Sequence, residues 1–264
     1  MSGFSAQWLA LREPYDVGAR NAVVLGAVAG TFVRHASISV VDIGCGTGST
    51  LRAIAGRLPR SQSWRLVDND LGLLARAAAL RPSPDIRVMC TPIDLVKDLE
   101  IALAAPVDLV TTSAFLDLVS LEWLDRFIIE LAARRLPVYA ALTYDGRAAL
   151  EPAEALDVEV LEQFHAHLRA DNGFGPALGH AAAKRAVERF EHFGYGLVQG
   201  LSDWVLTSAD IDMQEAILAG WAGAGGKNSA VSSWLSRRRS HLAAGRLSLR
   251  LGHLDIFARP SSMR

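Results

Sequence analysis

Between residues 39 and 143 the chain alternates short β-branched and apolar runs with longer stretches whose apolar positions recur at helical spacing. The short runs carry few charges, which is typical of strands buried on both faces of a parallel sheet. This alternation predicts five strands joined by helices, and hence a parallel sheet covered by helices on both sides. The predicted strands are 39–43, 63–68, 85–90, 107–112 and 137–143, and the predicted helices between them are 49–58, 70–80, 95–104 and 121–134.

The segments on either side of this core have a different character. A stretch with helical spacing, 16–34, precedes the first strand, and two helical segments within 150–193 follow the fifth strand. Two later β runs, 195–206 and 246–260, lie where they can form a hairpin-like edge on the sheet. We therefore predict one α/β domain with a doubly wound, seven-stranded, mostly parallel sheet, an N-terminal helical segment and a helical insertion before the sixth strand. Its predicted parts are the N-terminal helices (1–35), the core (36–148), a helical lid (149–194) and the C-terminal strands and helices (195–264).

Charge and composition exclude several classes of function. The net charge is −1, from 27 basic and 28 acidic residues, so no overall field draws the chain toward nucleic acid or anionic lipid. Two cysteines, Cys45 and Cys90, cannot form a disulfide framework and fit a reducing compartment. The N-terminus lacks a basic segment followed by an apolar core, and the longest apolar stretch, 22–33, is too short for a membrane span. We expect a cytoplasmic protein that binds neither nucleic acid nor membrane.

A glycine-rich turn follows the first predicted strand. The sequence VVDIGCGTG places Gly44, Gly46 and Gly48 at alternate positions ahead of a helical pattern. Glycines at such a turn let the backbone approach a ligand where a β-carbon would collide, and the first N–H groups of the helix are free to bind it. The spacing is not that of the dinucleotide fingerprint, because Ser49 stands where its third glycine would be. A turn that only packs a strand closely against a helix is the plain alternative.

At residues 39–48 the chain resembles the class I S-adenosylmethionine-dependent methyltransferases, in which the first strand ends in an acidic residue and a G-x-G-x-G turn. The resemblance implies a Rossmann-like fold, with S-adenosylmethionine as cofactor and S-adenosylhomocysteine as product. It also implies that the turn contacts the methionine and ribose parts of the cofactor. The residues that the resemblance assigns to this contact are Asp42, Gly44, Cys45, Gly46, Thr47 and Gly48.

Acidic residues after the second and third strands also match the family. Asp68, followed by Asn69, corresponds to the carboxylate that binds the ribose hydroxyls; Asp70 is the alternative, although it also suits the N-cap of the next helix. Asp94 corresponds to the residue that meets the adenine amino group, and capping of the helix predicted near residue 95 is its alternative role. The remaining expected cofactor contacts are the apolar neighbours of Asp94 and the end of the fourth strand, where an open α/β sheet binds ligands: Ile93, Leu95, Ser113, Ala114 and Phe115.

The segment LREPYDVGARNAV, residues 11–23, resembles the family's N-terminal closure over the methionine end of the cofactor. Arg20 can pair with the cofactor carboxylate through two parallel hydrogen bonds. Tyr15 is a candidate contact for the substrate. The alternative is a surface capping cluster in which Asp16 is a helix N-cap.

The chemistry of methyl transfer limits which residues are candidates for catalysis and for contact with the methyl acceptor. Alignment of the nucleophile, methyl carbon and sulfur is the main requirement, and a hydroxyl or protonated amine also needs a base. Among candidate bases, His165 has an unperturbed pKa near neutrality. His165 and His167 lie two positions apart on a predicted helix and cannot face one ion, so no metal is expected. The candidate catalytic residues are Asp117, Tyr144 and His165, and the candidate substrate contacts are Tyr15, Asp117, Tyr144, Asp145, His165 and Phe174.

The sequence thus predicts a methyltransferase, monomer or homodimer, that methylates an oxygen or nitrogen of a small cytoplasmic metabolite. Two alternatives stay open: an RNA methyltransferase and a non-catalytic S-adenosylmethionine-binding protein. The arginines at 237–239 are the feature that could suggest RNA. Adjacent residues of a helix point to different faces, so we expect these arginines to form a solvated helix end.

Overall fold

The structure is a computed structural model that describes residues 4–80, 82–104, 106–226 and 228–261. The ends of the predicted N-terminal and C-terminal parts, 1–3 and 262–264, lie outside the described residues. The helices are α1 (Ala6–Ala19), α2 (Ala22–Phe32), α3 (Ser49–Ile54), α4 (Leu71–Ala78), α5 (Leu99–Ala102), α6 (Leu121–Arg134), α7 (Asp157–Leu168), α8 (Ala182–His192), α9 (Ile211–Ala224) and α10 (Ser229–Ala243). The strands are β1 (Ser37–Ile43), β2 (Ser61–Asp68), β3 (Ile86–Pro92), β4 (Leu109–Ser113), β5 (Val138–Glu151), β6 (Tyr195–Leu201), β7 (Trp204–Leu206) and β8 (Ser248–Pro260).

The strands form one sheet in the order β3-β2-β1-β4-β5-β8-β6, with β7 paired to the first part of β8. The neighbours from β3 to β5 are parallel, and β8 runs antiparallel to β5, β6 and β7. The predicted doubly wound, mostly parallel sheet is confirmed, and β7 adds a strand within the run predicted at 195–206. The strand order reverses between β1 and β4, which opens a crevice at the carboxyl ends of these strands.

Apolar residues of the parallel strands alternate between two cores, one on each face of the sheet. In β1, Val41 and Ile43 lie in the core covered by α5, α6 and α8, whereas Ile38 and Val40 lie in the core covered by α2, α3 and α4. Both faces are therefore buried, which explains why these strands are apolar throughout rather than at every second residue.

A third core lies beyond the parallel part of the sheet. β5 extends to Glu151, well past its predicted end at residue 143, and its extension pairs with the first half of β8. Together with β7, this extension packs against α7, α9 and α10 around Trp221 and Trp234. Residues 143–168, 202–226 and 228–251 are here called the cap. The predicted lid is divided by this arrangement, because α7 belongs to the cap whereas α8 buries Phe190 in the core on the sheet.

The local helix boundaries differ from the predictions at several points. The predicted helix 16–34 is two helices, because Asn21 caps α2 by accepting hydrogen bonds from the N–H groups of Val23 and Val24 at 3.0 and 3.1 Å. The predicted helix 49–58 ends at Ile54 and continues as a 3₁₀ turn, and the predicted helix 95–104 is reduced to α5. No helix within the described ranges combines the length and apolar character needed to cross a bilayer.

Candidate cofactor and acceptor site

The glycine turn after β1 has a backbone that only glycine adopts readily. Gly44, Gly46 and Gly48 have φ angles of 62°, 53° and 81°. A Cβ on Gly44 would lie 2.6 Å from the ring of Phe115, and one on Gly48 would lie 2.8 Å from the side chain of Leu80. Close packing therefore accounts for two of these glycines.

Gly46 differs from its neighbours in what it faces. A Cβ there would approach the end of the Leu9 side chain, at 3.2 Å from Cδ1, and no other atom within 4 Å. Leu9 belongs to α1, and the same helix is joined to α3 by the ion pair of Glu13 and Arg52 at 2.5 Å. The guanidinium of Arg52 also donates to the carbonyl oxygen of Thr47 at 2.6 Å. Gly46 thus presents backbone toward α1 rather than toward a core.

The carboxylate of Asp68 binds the glycine turn from the end of β2. Its Oδ2 accepts a hydrogen bond from the N–H of Gly46 at 2.8 Å, and its Oδ1 accepts one from the N–H of Asp70 at 3.0 Å. Asp70 caps α4 by accepting from the N–H of Leu73 at 3.0 Å. Asn69 is exposed. Of the two carboxylates considered for the ribose, Asp68 is the one next to the turn, and Asp70 is occupied by the helix.

Asp42 is a buried carboxyl group at the end of β1. Its Oδ1 accepts a hydrogen bond from the hydroxyl of Thr111 at 2.7 Å, whereas Oδ2 has no hydrogen-bond partner in the described part of the chain. Burial raises the pKa of Asp42 to about 7. Cys45 is buried in the turn, and burial also raises the pKa of its thiol, so it is not a reactive thiolate.

Arg20 brings a buried cation to the end of β4. The residue is 6% exposed, and its guanidinium donates to the hydroxyls of Tyr139 at 3.2 Å and Ser113 at 3.3 Å. Its Nε has no hydrogen-bond partner among the residues described. The alternative of a surface capping cluster is wrong, because Asp16 is buried inside α1 and forms an ion pair with Arg12 at 2.9 Å.

The expected adenine wall is apolar and backed by an indole. Ile93 and Leu95 are buried, and the indole N–H of Trp123 donates to the carbonyl oxygen of Leu95 at 2.8 Å. The ring of Phe115 packs edge-on against Trp123, with centroids 5.6 Å apart. Ala114, between Ser113 and Phe115, has a φ of 48°, a strained conformation for a residue with a Cβ.

The carboxylate of Asp94 stabilises the turn after β3. Its Oδ1 accepts from the N–H of Val96 at 3.0 Å, and its carboxylate pairs with Lys97 at 3.0 Å. The hydrogen bond from Lys97 lowers the pKa of Asp94. The alternative capping role is thus present, but at this turn rather than at α5, which begins at Leu99.

The candidate acceptor side centres on a tyrosine–histidine pair in the cap. The hydroxyl of Tyr144 and Nε2 of His165 are 2.8 Å apart, and the ring of His165 lies 4.3 Å from that of His180. Burial, followed by the charges of His180 and Arg169, lowers the pKa of His165 to about 4. The expected near-neutral pKa of His165 is therefore wrong. His167 is exposed on the other side of α7.

Asp117 and Phe174 lie between the expected cofactor site and the candidate acceptor site. Asp117 keeps some surface exposure, but its Oδ1 is shielded from solvent and has no hydrogen-bond partner within the described ranges. Burial raises the pKa of Asp117 to about 6. Phe174 contacts Phe115 and Trp123 edge-on, with centroids 5.5 and 5.4 Å apart. Phe174 is therefore partly buried against the adenine wall rather than freely exposed.

Two other candidate substrate residues are already engaged. The hydroxyl of Tyr15 donates to Asp210 at 2.9 Å and so joins α1 to the cap. Asp145 pairs with Arg147 at 2.6 Å, and Arg147 also pairs with Asp203. The first contact therefore attaches α1 to the cap, and the second joins two segments of the cap.

Two residues of β8 escaped the sequence analysis. His253 is 5% exposed and packs between Tyr144 and Trp204, with ring centroids 5.9 and 4.9 Å away. Asp255 is fully buried and accepts hydrogen bonds from the Tyr139 hydroxyl at 3.0 Å and the Leu142 N–H at 2.8 Å. The available signal was a histidine and an aspartate at alternate positions within the otherwise uncharged stretch 251–258.

The arginines of α10 are all paired with carboxylates. Arg237 pairs with Glu154 and Arg239 with Glu215, while Arg238 is fully buried against Asp157. The expectation of a solvated helix end is wrong for Arg238. Each of the three arginines therefore stands beside a carboxylate of another segment. Among the residues that the structure describes, no group of three His, Cys, Asp or Glu side chains could hold a metal ion.

Several solved structures share this architecture, and some of them are described as methyltransferases. A protein of Anaeromyxobacter dehalogenans, provisionally described as a type II methyltransferase, is 17% identical, with 91% of this chain and 96% of that chain covered at a TM-score of 0.55. The YcgJ protein of Bacillus subtilis is 13% identical, with 91% and 99% covered at a TM-score of 0.52. A protein of Bacillus halodurans, provisionally described as a methyltransferase, is 13% identical, with 90% and 99% covered at a TM-score of 0.50.

These likenesses show the fold. The chain has the Rossmann-like fold of class I methyltransferases, and the resemblance read from VVDIGCGTG is confirmed at that level. No protein-family model and no curated protein sequence matches the chain.

Proposed function

We propose that the protein transfers a methyl group from S-adenosylmethionine to an oxygen or nitrogen of a small molecule. The observation that carries this proposal is the joint geometry of Asp68, Gly46 and Arg20 at the carboxyl ends of β1, β2 and β4. A carboxylate on the turn suits ribose hydroxyls, and a buried guanidinium with a free Nε suits a carboxylate. The turn also lacks the dinucleotide spacing, which argues against a ligand held by its phosphates.

The residues fit the cofactor in charge as well as in hydrogen bonding. When bound, S-adenosylmethionine supplies an activated methyl group on a positively charged sulfur. Asp68 brings negative charge to the turn, whereas Arg20 brings positive charge to the end of β4. The apolar wall of Ile93, Leu95 and Phe115 would exclude water from the adenine.

The protein's own task in the transfer is to align the acceptor and remove its proton. Asp117, with its raised pKa of about 6 and unpartnered Oδ1, is the group best suited to accept that proton. His165 is a poorer base, because its pKa is lowered to about 4 and its Nε2 is engaged by Tyr144. We assign His165 the role of positioning the Tyr144 hydroxyl.

The proposal is tested by turnover with an unbiased acceptor mixture. The protein is incubated with S-adenosylmethionine and a deproteinised bacterial extract, and S-adenosylhomocysteine is quantified beside metabolites that gain one methyl group. We expect both products to form, and to form more slowly in Asp68→Ala when S-adenosylmethionine is below saturation. Binding of the cofactor without either product would favour a non-catalytic binding protein instead.

A further inference from the structure

A chain of ring contacts links α1, the cap and the 3₁₀ turn that contains His180. It runs from Trp8 of α1 through Trp204 of β7 and His253 of β8 to Tyr144 of β5, with centroid distances of 6.4, 4.9 and 5.9 Å. It continues through His165 to His180, at 5.7 and 4.3 Å. These residues, Trp8, Tyr144, His165, His180, Trp204 and His253, are here called the ring belt. The belt brings together six side chains from segments far apart in sequence.

Several polar atoms in and beside the ring belt are buried without a partner. Nδ1 of His253, Nδ1 of His180 and Oδ1 of Asp117 lack a hydrogen bond to any residue that the structure describes. Burial raises the pKa of Tyr144, and the nearby charges of Asp145 and Asp117 raise it further, so Asp117 lies beside the belt. Buried polar groups are nearly always satisfied in native proteins, and each one left unpaired costs about 1–3 kcal/mol. A ligand that bears matching groups would satisfy these three atoms.

The charge of the belt indicates what kind of ligand this is. Arg12 stacks on Trp204, 4.8 Å from the ring centroid, but two hydrogen bonds to Asp16, at 2.9 and 3.1 Å, compensate its charge. Burial and the nearby Arg12 lower the pKa of His253 to about 3, so its imidazole is neutral at pH 7. An anionic group placed against His253 would lose its hydration without meeting an uncompensated cation. Arg169, whose charge reaches His165, is exposed at the end of α7.

We propose that the methyl acceptor is an uncharged, planar ring compound with a hydroxyl or amino substituent, bound against the ring belt with His253 as a recognition residue. The inference rests on the proposed function, because it concerns the acceptor of the same reaction. Aromatic faces favour a flat ring, and a few fixed polar atoms orient it, as in other small-molecule sites. Asp117 and the imidazoles of His253 and His180 supply those polar atoms.

Probe binding to the full chain tests the proposal by ligand-observed NMR. The probes are catechol and 3-hydroxypyridine as uncharged planar rings, trans-1,2-cyclohexanediol as a non-planar match to catechol, and 3,4-dihydroxybenzoate as its anionic counterpart. We expect both planar, uncharged probes to bind at least about tenfold more tightly than the other two. Equal or tighter binding of the benzoate or the cyclohexanediol, or no binding of any probe, would overturn the proposal.

Variants separate recognition from folding. His253→Leu is expected to weaken catechol binding about tenfold, whereas His167→Leu, an exposed position on α7, should leave it unchanged. If His253→Leu lowers the melting temperature too far for study, His180→Leu replaces it with the same expected loss. Catechol binding that withstands whichever of these two variants folds contradicts the role of the belt.

Titrations with and without S-adenosylhomocysteine distinguish the two proposals. A protein that does not bind S-adenosylhomocysteine contradicts the proposed function, and catechol binding to the unliganded protein then still decides whether the ring belt is a site for planar compounds.

Discussion

Asp68 and Gly46 are joined by a hydrogen bond of 2.8 Å from the Gly46 N–H to Oδ2 of Asp68, although 22 positions separate them in the chain. This bond ties the end of β2 to the glycine turn after β1. It also orients the carboxylate at the place where the proposed function requires an acceptor for ribose hydroxyls. Two neighbouring aspartates thus have separate tasks, since Asp70 caps α4.

Asp68→Ala is therefore expected to affect ligand binding, and Asp70→Ala to affect the stability of the fold. Asp68→Ala should weaken binding of S-adenosylhomocysteine by about 1–3 kcal/mol, the cost of losing hydrogen bonds to a charged group. Asp70→Ala should instead lower the free energy of unfolding by about 1 kcal/mol, as for loss of an N-cap, with affinity nearly unchanged. Calorimetric titration and urea unfolding measure the two effects. A larger loss of affinity in Asp70→Ala, with the fold intact, would mean that the ribose carboxylate is Asp70.

Gly46→Val tests whether the turn faces a ligand. The new side chain would occupy the space between the turn and Leu9 at a φ of 53°, which a β-branched residue tolerates poorly. We expect binding of S-adenosylhomocysteine to be abolished, as measured by calorimetric titration. Gly30→Ala is the matched control, because a Cβ there meets nothing within 4 Å. Undiminished binding by a folded Gly46→Val protein would show that the glycine serves packing alone.

Asp42→Asn is expected to stabilise the protein in a pH-dependent way. The pKa of Asp42 is raised from 3.8 to about 7, so the native state holds a proton that the unfolded state releases between these values. Stability from this group is complete below about pH 4 and is lost as the pH rises through about 7. Asparagine does not titrate, so its free energy of unfolding lacks this pH dependence. The difference in the free energy of unfolding, variant minus wild type, should therefore be about 1–3 kcal/mol larger at about pH 8 than at about pH 4.5. Urea unfolding at both pH values measures the gain, and a difference that does not change with pH would contradict the burial of an ionisable Asp42.

Asp117→Asn is expected to reduce turnover by about 10²–10⁴-fold, the usual contribution of a general base. In the wild type, turnover should fall as the pH drops through about 6, because protonated Asp117 cannot accept a proton. The residual activity of the variant should not show this fall in turnover at low pH, which is here called the acid limb. His165→Ala should reduce turnover less than tenfold and keep the limb. These profiles are measured with the acceptor identified in the extract assay, and a limb near pH 6 that persists in Asp117→Asn would assign the base elsewhere.

Local patterns made much of the fold predictable. The apolar runs located the parallel strands because both faces of the sheet are buried, and Asp70 and Ser120 mark helix starts through short-range caps. The cap could not be read in this way, since its core joins segments that are distant in the chain. Arg238 shows the reason: its partner, Asp157, lies 81 positions away, and nothing in the run of arginines indicates that the middle one is buried.

The sequence predicted those parts of the site in which a motif requires a particular backbone conformation. It predicted less well the properties that depend on the surroundings of a side chain in the folded protein. Positive φ angles at Gly44, Gly46 and Gly48 follow from the G-x-G-x-G spacing. The pKa of His165 instead depends on burial and on His180, which no local pattern reveals. His253 was missed because a histidine and an aspartate at alternate positions of a strand match no binding motif, so the sequence does not indicate their role.

Calorimetric titration of the purified chain with S-adenosylmethionine, S-adenosylhomocysteine and NAD tests the central claim most directly. The account predicts saturable binding of both adenosyl ligands, weakened in Asp68→Ala, and no comparable binding of NAD. Tight binding of NAD without a response to either adenosyl ligand would contradict it.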